Sequence, residues 1–474
     1  MLRAGSREML KRAVSAVAVA AMVGLGAGAA QADNLADAMV GAYKTSGLLD
    51  QNRALLRAAD EDVAIAVSGL RPVVDFILQA ERDLTRTGNN SIRNGTIGTS
   101  TATAAVTMDW LLYNNGATKL SVEAAKETVL ATRQQLVQVE QQVLLRAAAA
   151  YFGWLLQQDN VNLRLNNLKL LQEELRAAQD RFDVGEVTRT DVALAESQVA
   201  AARSSLAAAS GALVSAQAEY QSAVGNLPSS LAGRPNLPAA PRSIDDAEAV
   251  ALRNHPSLLA AQHQVKAAEL TVQQVRASQG FALSTGLTLS RTDAMNTSAY
   301  SDDATLDLTL SKRLYQGGGM NAQLRKTMAS RDSTRGNLLT VQRDVIQNVN
   351  DAFVSLQSAQ ASLAASEEQV RAAQVAFDGI REEATLGART TLDVLSAEQE
   401  LLDAHTAVIS ARTDQEIAAY SLLSSQGLLT AERLKLGVEI YDPALYYNMA
   451  KTAPAQISKQ SKDLDRVLKA LGKN

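Results

Sequence analysis

The chain has no cysteine, only three histidines and eight prolines among its 474 residues, and an aromatic content of 4%. Without cysteine there is no disulfide framework, no thiolate metal site, no thiol nucleophile and no lipid-bearing N-terminal cysteine. The histidines, His255, His263 and His405, are not spaced as metal ligands. His255 precedes Pro256 at a helix entry, and His405 lies among polar helix residues. There is no Gly-x-Ser-x-Gly elbow. The run Gln316-Gly317-Gly318-Gly319-Met320 has no Lys-Ser or Lys-Thr after it, so it reads as a strand-to-helix corner rather than a phosphate loop. The expectation is therefore no enzyme, no catalytic residue, no cofactor and no metal. The formal charge of −4, without a basic block, gives no reason to expect nucleic acid. Few aromatics with heavy Ala, Gln, Leu and Val usage argue against several compact cores and for long helices packed through small side chains.

Long apolar runs are scarce as well. The first 32 residues read as a secretory signal: Arg3, Arg7, Lys11 and Arg12 form a basic head, Ala13 to Gly28 is apolar, and Ala30-Gln31-Ala32 supplies small residues for cleavage. That segment carries four basic residues and one acidic, Glu8, so its removal takes the charge from −4 to −7. Beyond it no apolar stretch approaches the roughly 20 residues of a membrane helix. The remainder is thus expected to be soluble after export or to cross a membrane as β-strands.

The chain repeats itself. Val184 to Gln198 (VGEVTRTDVALAESQ) matches Leu386 to Glu400 (LGARTTLDVLSAEQE) at an offset of 202, pairing Gly185 with Gly387, Thr188 with Thr390, Asp191 with Asp393 and Glu196 with Glu398. In each copy a glycine can close one helix in the left-handed conformation, and Thr-x-x-Asp can cap the next. On local grounds this is a helical hairpin turn. Leu112-Tyr113-Asn114-Asn115-Gly116 matches Leu314-Tyr315-Gln316-Gly317-Gly318 at the same offset. Each half reads as a helix (within Leu35–Gly69 and Ile244–Ala277), two strands, a very long helix, the turn and a returning helix. The expected limits are 33–226 for the first repeat, with strands 72–86 and 98–113, long helix 117–182 and turn 183–190. For the second they are 244–427, with strands 281–291 and 304–315, long helix 320–385 and turn 385–390. Residues 227–243, with half of the prolines, form the linker, and 428–474 form a C-terminal equatorial segment and tail whose end is expected to be a marginal or disordered helix. Neither long helix contains proline, so each would be on the order of 100 Å long.

The strands show period two. Ala102, Ala104, Val106, Met108 and Trp110 alternate with Thr101, Thr103, Ala105, Thr107 and Asp109; Leu306, Leu308 and Leu310 alternate with Asp307, Thr309 and Ser311. Phe281, Leu283, Leu287 and Leu289, and Val74, Phe76, Leu78 and Ala80, do the same. This fits the apolar-out, polar-in period of membrane β-barrels, and also an ordinary half-buried sheet. Four strands cannot close a barrel, and open edges are not tolerated in lipid, so membrane strands would have to be pooled by several chains.

Taken together, the doubled Gly-to-Thr-x-x-Asp turns, the strand pairs ending in Leu-Tyr-x-x-Gly and the His255-Pro256 entry resemble the TolC-like outer-membrane channel family, over essentially the whole chain after the signal. The resemblance implies a mainly α protein with a β-barrel part. Three copies would form a 12-stranded outer-membrane barrel and a long periplasmic helical tunnel. It implies a homotrimer that works with a periplasmic adaptor protein and an inner-membrane ABC or proton-driven pump as the exit duct for type I secretion or efflux. Val184, Gly185, Glu186, Leu386, Gly387 and Ala388 would be the adaptor-contacting tips. Asp393 would form a ring of aspartates across the pore, and Arg389, Thr190 and Asp191 would hold it shut. Ser396 stands where a second acidic ring is expected, and Ala384 where a tyrosine can bond across the tip, which predicts a less acidic constriction and a looser latch. Tyr441-Asp442-Pro443 and Tyr446-Tyr447 faintly resemble the type I secretion branch and favour secretion over drug efflux. An exported coiled-coil surface protein is the other class to test.

Overall fold

The computed structural model describes residues 32–89, 92–455 and 458–470. The expected signal, apart from Ala32, and Leu471 of the tail lie outside them. Among the described residues the first half contains α1 (Leu35–Thr45), α2 (Gly47–Ser68), β1 (Val73–Asn89), β2 (Ile92–Tyr113), α3 (Ala117–Asp183) and α4 (Arg189–Val224). The second half repeats the order with α5 (Ile244–Asn254), α6 (Pro256–Ala277), β3 (Ala282–Ala294), β4 (Tyr300–Ser311), α7 (Gly319–Thr385) and α8 (Thr391–Ser425). Two tail helices follow, α9 (Pro443–Ala450) and α10 (Lys459–Ala470).

Several limits differ from expectation. Each leading helix is two helices. The first breaks at Ser46, whose hydroxyl accepts from the Leu49 N–H and so caps α2. The second breaks at His255, held extended at ψ 121° because a following proline disfavours the helical region. β1 and β2 continue past their expected ends, so Thr87, Gly88 and Asn89 lie in strand rather than loop. β4 starts at Tyr300 and stops at Ser311, leaving Leu314 and Tyr315 outside it. Its early start is favoured by Arg291, which stacks over the Tyr300 ring at 4.6 Å and pairs with Asp302 across the hairpin. α4 is long and apolar enough to cross a membrane by length and composition. Much of its hydropathy comes from alanine, the small residue that close helix packing uses.

The chain divides into two compact units. One holds the described residues up to Leu49 with Val139–His255 and Val345–Ile440. Its aromatic centre stacks Tyr151 on Phe152, Phe152 on Tyr420 and Trp154 on Tyr220, with ring centroids 5.1 to 5.8 Å apart. The linker is pinned to this unit. Arg234, largely buried, binds Asp159 of α3 at 2.8 Å and also Glu416 of α8, while the Tyr151 hydroxyl donates to the Gly233 carbonyl. The end of α4 is closed by Gly225 at φ 91°, and there a Cβ would lie 2.5 Å from the Thr45 hydroxyl oxygen.

The other unit holds Asp50–Gln138, Pro256–Asp344 and the chain from Tyr441. It contains an antiparallel sheet in the order β1-β2-β3-β4. The register places Asp75, Thr107, Thr288 and Thr305 in one rung and Phe76, Val106, Leu289 and Ala304 in the next, so the sheet has one polar and one apolar face. Phe76, Leu78, Leu306, Leu308 and Leu310 on the apolar face are between 64% and 74% exposed. Among the described residues the outer edges of β1 and β4 have no strand partner. Beyond Glu81 and Thr101, β1 and β2 pair only with each other, as a two-stranded ribbon. α9, which the sequence did not announce, is tied to α2 by the Tyr446 hydroxyl, which donates to Glu61 at 2.7 Å, and Leu464 of α10 packs on Tyr446 and Ala450.

Two glycine substitutions separate a required glycine from a dispensable one. Gly225→Val should cost at least about 2 kcal/mol, from its left-handed φ and the contact with Thr45. Gly211, helical and with open space around the Cβ position, should gain about 0.5–1 kcal/mol as alanine. Thermal unfolding in detergent would show opposite shifts.

Candidate functional site

The two turns of the repeat are built by the same local chemistry. At the end of α3, Gly185 has φ 82°, its N–H bonds the Phe182 carbonyl at 2.9 Å, and the Glu186 N–H reaches the Arg181 carbonyl at 2.9 Å. At the end of α7, Gly387 has φ 78°, and the matching bonds run from Gly387 to Ala384 at 3.1 Å and from Ala388 to Glu383 at 2.9 Å. Both are Schellman closures, which satisfy carbonyls left over at a helix end and need a residue that accepts positive φ.

The next helix begins three residues later with a reciprocal cap. The Asp191 Oδ2 accepts from the Thr188 N–H at 2.9 Å and hydroxyl at 2.7 Å, and the Asp191 N–H donates back to Thr188 Oγ1 at 3.4 Å. Asp393 and Thr390 repeat this at 2.9, 2.8 and 3.2 Å. These bonds favour the charged carboxylates. The Thr188 hydroxyl, then its N–H, holds Asp191 below the ordinary aspartate range, and the Thr390 N–H, then its hydroxyl, does the same for Asp393. Capping therefore persists at every pH above about 4 and is lost only in stronger acid, as the carboxylates protonate.

Between the tips lies an open cleft of about 530 Å³, lined by Arg181, Glu186, Val187, Thr188 and Asp191 from the first and by Ala384 to Gly387, Arg389, Thr390 and Thr391 from the second. Val184 and Leu386 at the turn apices are 72% and 78% exposed. Glu186, Thr190, Ala388 and Ser396 are exposed too, and Asp393 is half-buried. Arg389 and Asp191 face the same cleft, but in the single chain Arg389 binds Glu383 of its own tip at 2.8 Å and Asp191 is engaged by Thr188. A latch from Arg389 to Asp191 or Thr190 would have to exchange these partners. Ala384 is buried in the α7–α8 core with Phe377, Val394 and Leu401.

Behind the tips the repeats diverge. Glu196 is exposed on α4, whereas its counterpart Glu398 on α8 is 3% exposed. One oxygen of Glu398 accepts from the Asn167 amide of α3 at 2.7 Å. The neighbouring charges are Glu174 of α3 and Arg381 of α7, paired with each other at 3.1 Å. The doubled stretch displays Glu398, but period and spacing do not mark it as buried. No group of three or more His, Asp or Glu among the described residues is placed to hold a metal ion.

A family model described as outer membrane efflux protein matches residues 42–226 and 249–428, one match to each half. The chain is 36% identical over 433 residues to Outer membrane efflux protein BepC of Brucella suis biovar 1 (strain 1330), covering 89% of this chain and 91% of that protein. It is 27% identical over 309 residues to Alkaline protease secretion protein AprF of Pseudomonas aeruginosa, covering 62% of this chain and 63% of that protein. Its fold is similar to the Campylobacter jejuni CmeC outer membrane channel, with a TM-score of 0.73 and 14% identity over 89% of this chain and 90% of that one.

Caps of this kind are worth about 1 kcal/mol each. Thr188→Ala and Thr390→Ala should therefore each speed amide exchange about fivefold in the first turn of α4 or α8, with the other tip unchanged.

Proposed function

The chain belongs to the outer membrane efflux protein family and is an outer-membrane protein, and we propose that three copies form the exit duct of a tripartite export system. The proposed duct pools four strands from each copy into a 12-stranded barrel, continues into the periplasm as a helical tunnel and is gated at the tips. The observation that carries this reading is the sheet. Its large apolar side chains are exposed on one face, hydroxyls and carboxylates occupy the other, and among the described residues its two edges have no strand partner. Hydrocarbon accommodates the first face only if the edges are closed.

In this reading Val184, Gly185, Glu186, Leu386, Gly387 and Ala388 meet a periplasmic adaptor, which couples the duct to an inner-membrane ABC or proton-driven pump. Asp393 contributes one carboxylate per copy around the axis, a focused negative potential that attracts cations. Arg389, Thr190, Asp191 and Ser396 border the same constriction.

Two cargo readings remain, each with its own support. The tail tyrosines Tyr441, Tyr446 and Tyr447 favour type I secretion. The higher identity and coverage of a relative named as an efflux protein favour small-molecule efflux. Deleting the gene and profiling both the secretome and drug sensitivity separates them. Loss of a secreted protein supports the first, and new drug sensitivity with an unchanged secretome supports the second.

The protein is expected to fractionate with outer membranes, extract only in detergent and run there as a trimer. Recovery as a soluble periplasmic monomer would overturn the duct. Asp393→Ala should weaken block of single-channel current by multivalent cations about tenfold; unchanged block would move the constriction elsewhere.

A further inference from the structure

Glu398 is the feature of the tip region that capping and pore lining do not use. It sits on α8, five residues past Asp393, between two apolar layers. On one side Val394, Ala397 and Leu401 pack with Phe377 and Ala373 of α7. On the other, Leu395 packs with Leu171 of α3 and with Val199 and Ala202 of α4. One carboxylate oxygen is satisfied by Asn167, while Oε2 is buried with no hydrogen-bond partner among the described residues. Such an atom is costly to bury as an anion and much less so as a protonated hydroxyl.

The groups that face it can be named element by element. α3 supplies Asn167 and Glu174, and α7 supplies Arg381. The α4 residues in the adjoining layer, Val199 and Ala202, do not titrate. The ion pair of Glu174 with Arg381 spends much of the arginine's charge, so Glu398 has no dedicated cation.

We propose that Glu398 is a proton-operated tie: neutral, it lets α8 close against α3, and ionised, it loosens the packing behind the tips. The proposal rests on the reading of the tips as a gate. The chemistry is a simple titration, in which opening admits water to the carboxyl and the proton leaves to that water.

Burial, then the charge of Glu174, pushes the Glu398 carboxyl up from 4.5 to about 7 against the opposing pull of Asn167 and Arg381. The closed packing therefore holds a proton that a hydrated, loosened tip releases. Closure is fully favoured below about pH 4.5 and loses ground as pH rises from there to about 7. One proton changes the open-to-closed ratio by at most about tenfold per pH unit.

The experiment is single-channel recording of the purified full-length channel in planar bilayers from pH 5 to 8.5. Open probability should rise with pH in the native protein. Glu398→Gln should stay near the acidic value throughout, and Glu196→Gln, at the exposed counterpart, should keep the native profile. The neighbours supply a second test if Glu398→Gln does not insert. Asn167→Ala removes a bond that favours the charged form and should move the midpoint to higher pH. Glu174→Gln removes a like charge and should move it lower. A native pH profile in Glu398→Gln, or neighbour variants that leave the midpoint in place or shift it in the same direction, overturns the proposal. Absence of current from every variant at every pH would instead overturn the channel reading on which it rests.

Discussion

Two rows of unpaired backbone groups govern how this chain can exist. The four-stranded sheet ends at β1 on one side and β4 on the other, and its apolar face carries exposed phenylalanine, valine and leucine. In water such a face seeks cover, and in hydrocarbon each open N–H and C=O costs several kcal/mol. Both demands would be met by copies joined edge to edge in a closed ring, as in the proposed duct. The sheet thereby sets the conditions for everything attached to it. Each hairpin continues directly into a 67-residue helix, so any symmetry imposed on the strands is imposed on the helices too.

How much of this can be read from residues alone varies with the range of the interaction. The tips are the most legible part. Glycine, threonine and aspartate at fixed spacing determine a Schellman closure and a capping box with no help from the rest of the chain, and both copies adopt them. The long helices are legible because nothing interrupts them. The break at His255 was also available, since Pro256 constrains its neighbour. The break at Ser46 was not, because a serine inside a helical pattern does not say whether its hydroxyl faces water or caps a new helix. Strand ends were misplaced where cross-strand partners decide them, as with Tyr300 and Arg291. α9 was missed because its reason for existing lies in Glu61 and Arg133, far away in sequence.

Duplication has preserved one thing and released another. The caps of the two tips agree within 0.2 Å in every bond. The layer just behind them keeps its buried apolar pairs, Ala195 with Ala397, Val199 with Leu401 and Ala202 with Ala404, but differs at the glutamate: one repeat exposes it to solvent and the other buries it on an asparagine. A turn whose bonds are all local tolerates little change without fraying. The layer behind it is defined by contacts between helices, and there each copy can acquire its own chemistry. Arg389, which binds Glu383 in the second tip, is matched at the same offset by the apolar Val187 in the first, so only one of the two tips carries a cation at that position. A ring assembled from such chains alternates two kinds of subunit tip while being encoded by one gene.

The first hairpin outreaches the second. Past Glu81 and Thr101 the β1–β2 ribbon has no neighbouring strand from its own chain, and in the proposed membrane setting it stands on the side away from the helices. In the proposed duct that ribbon would stand clear of the four-stranded wall, its two strands held to each other by their own ladder, so its length would set how far the first hairpin reaches beyond the barrel rim.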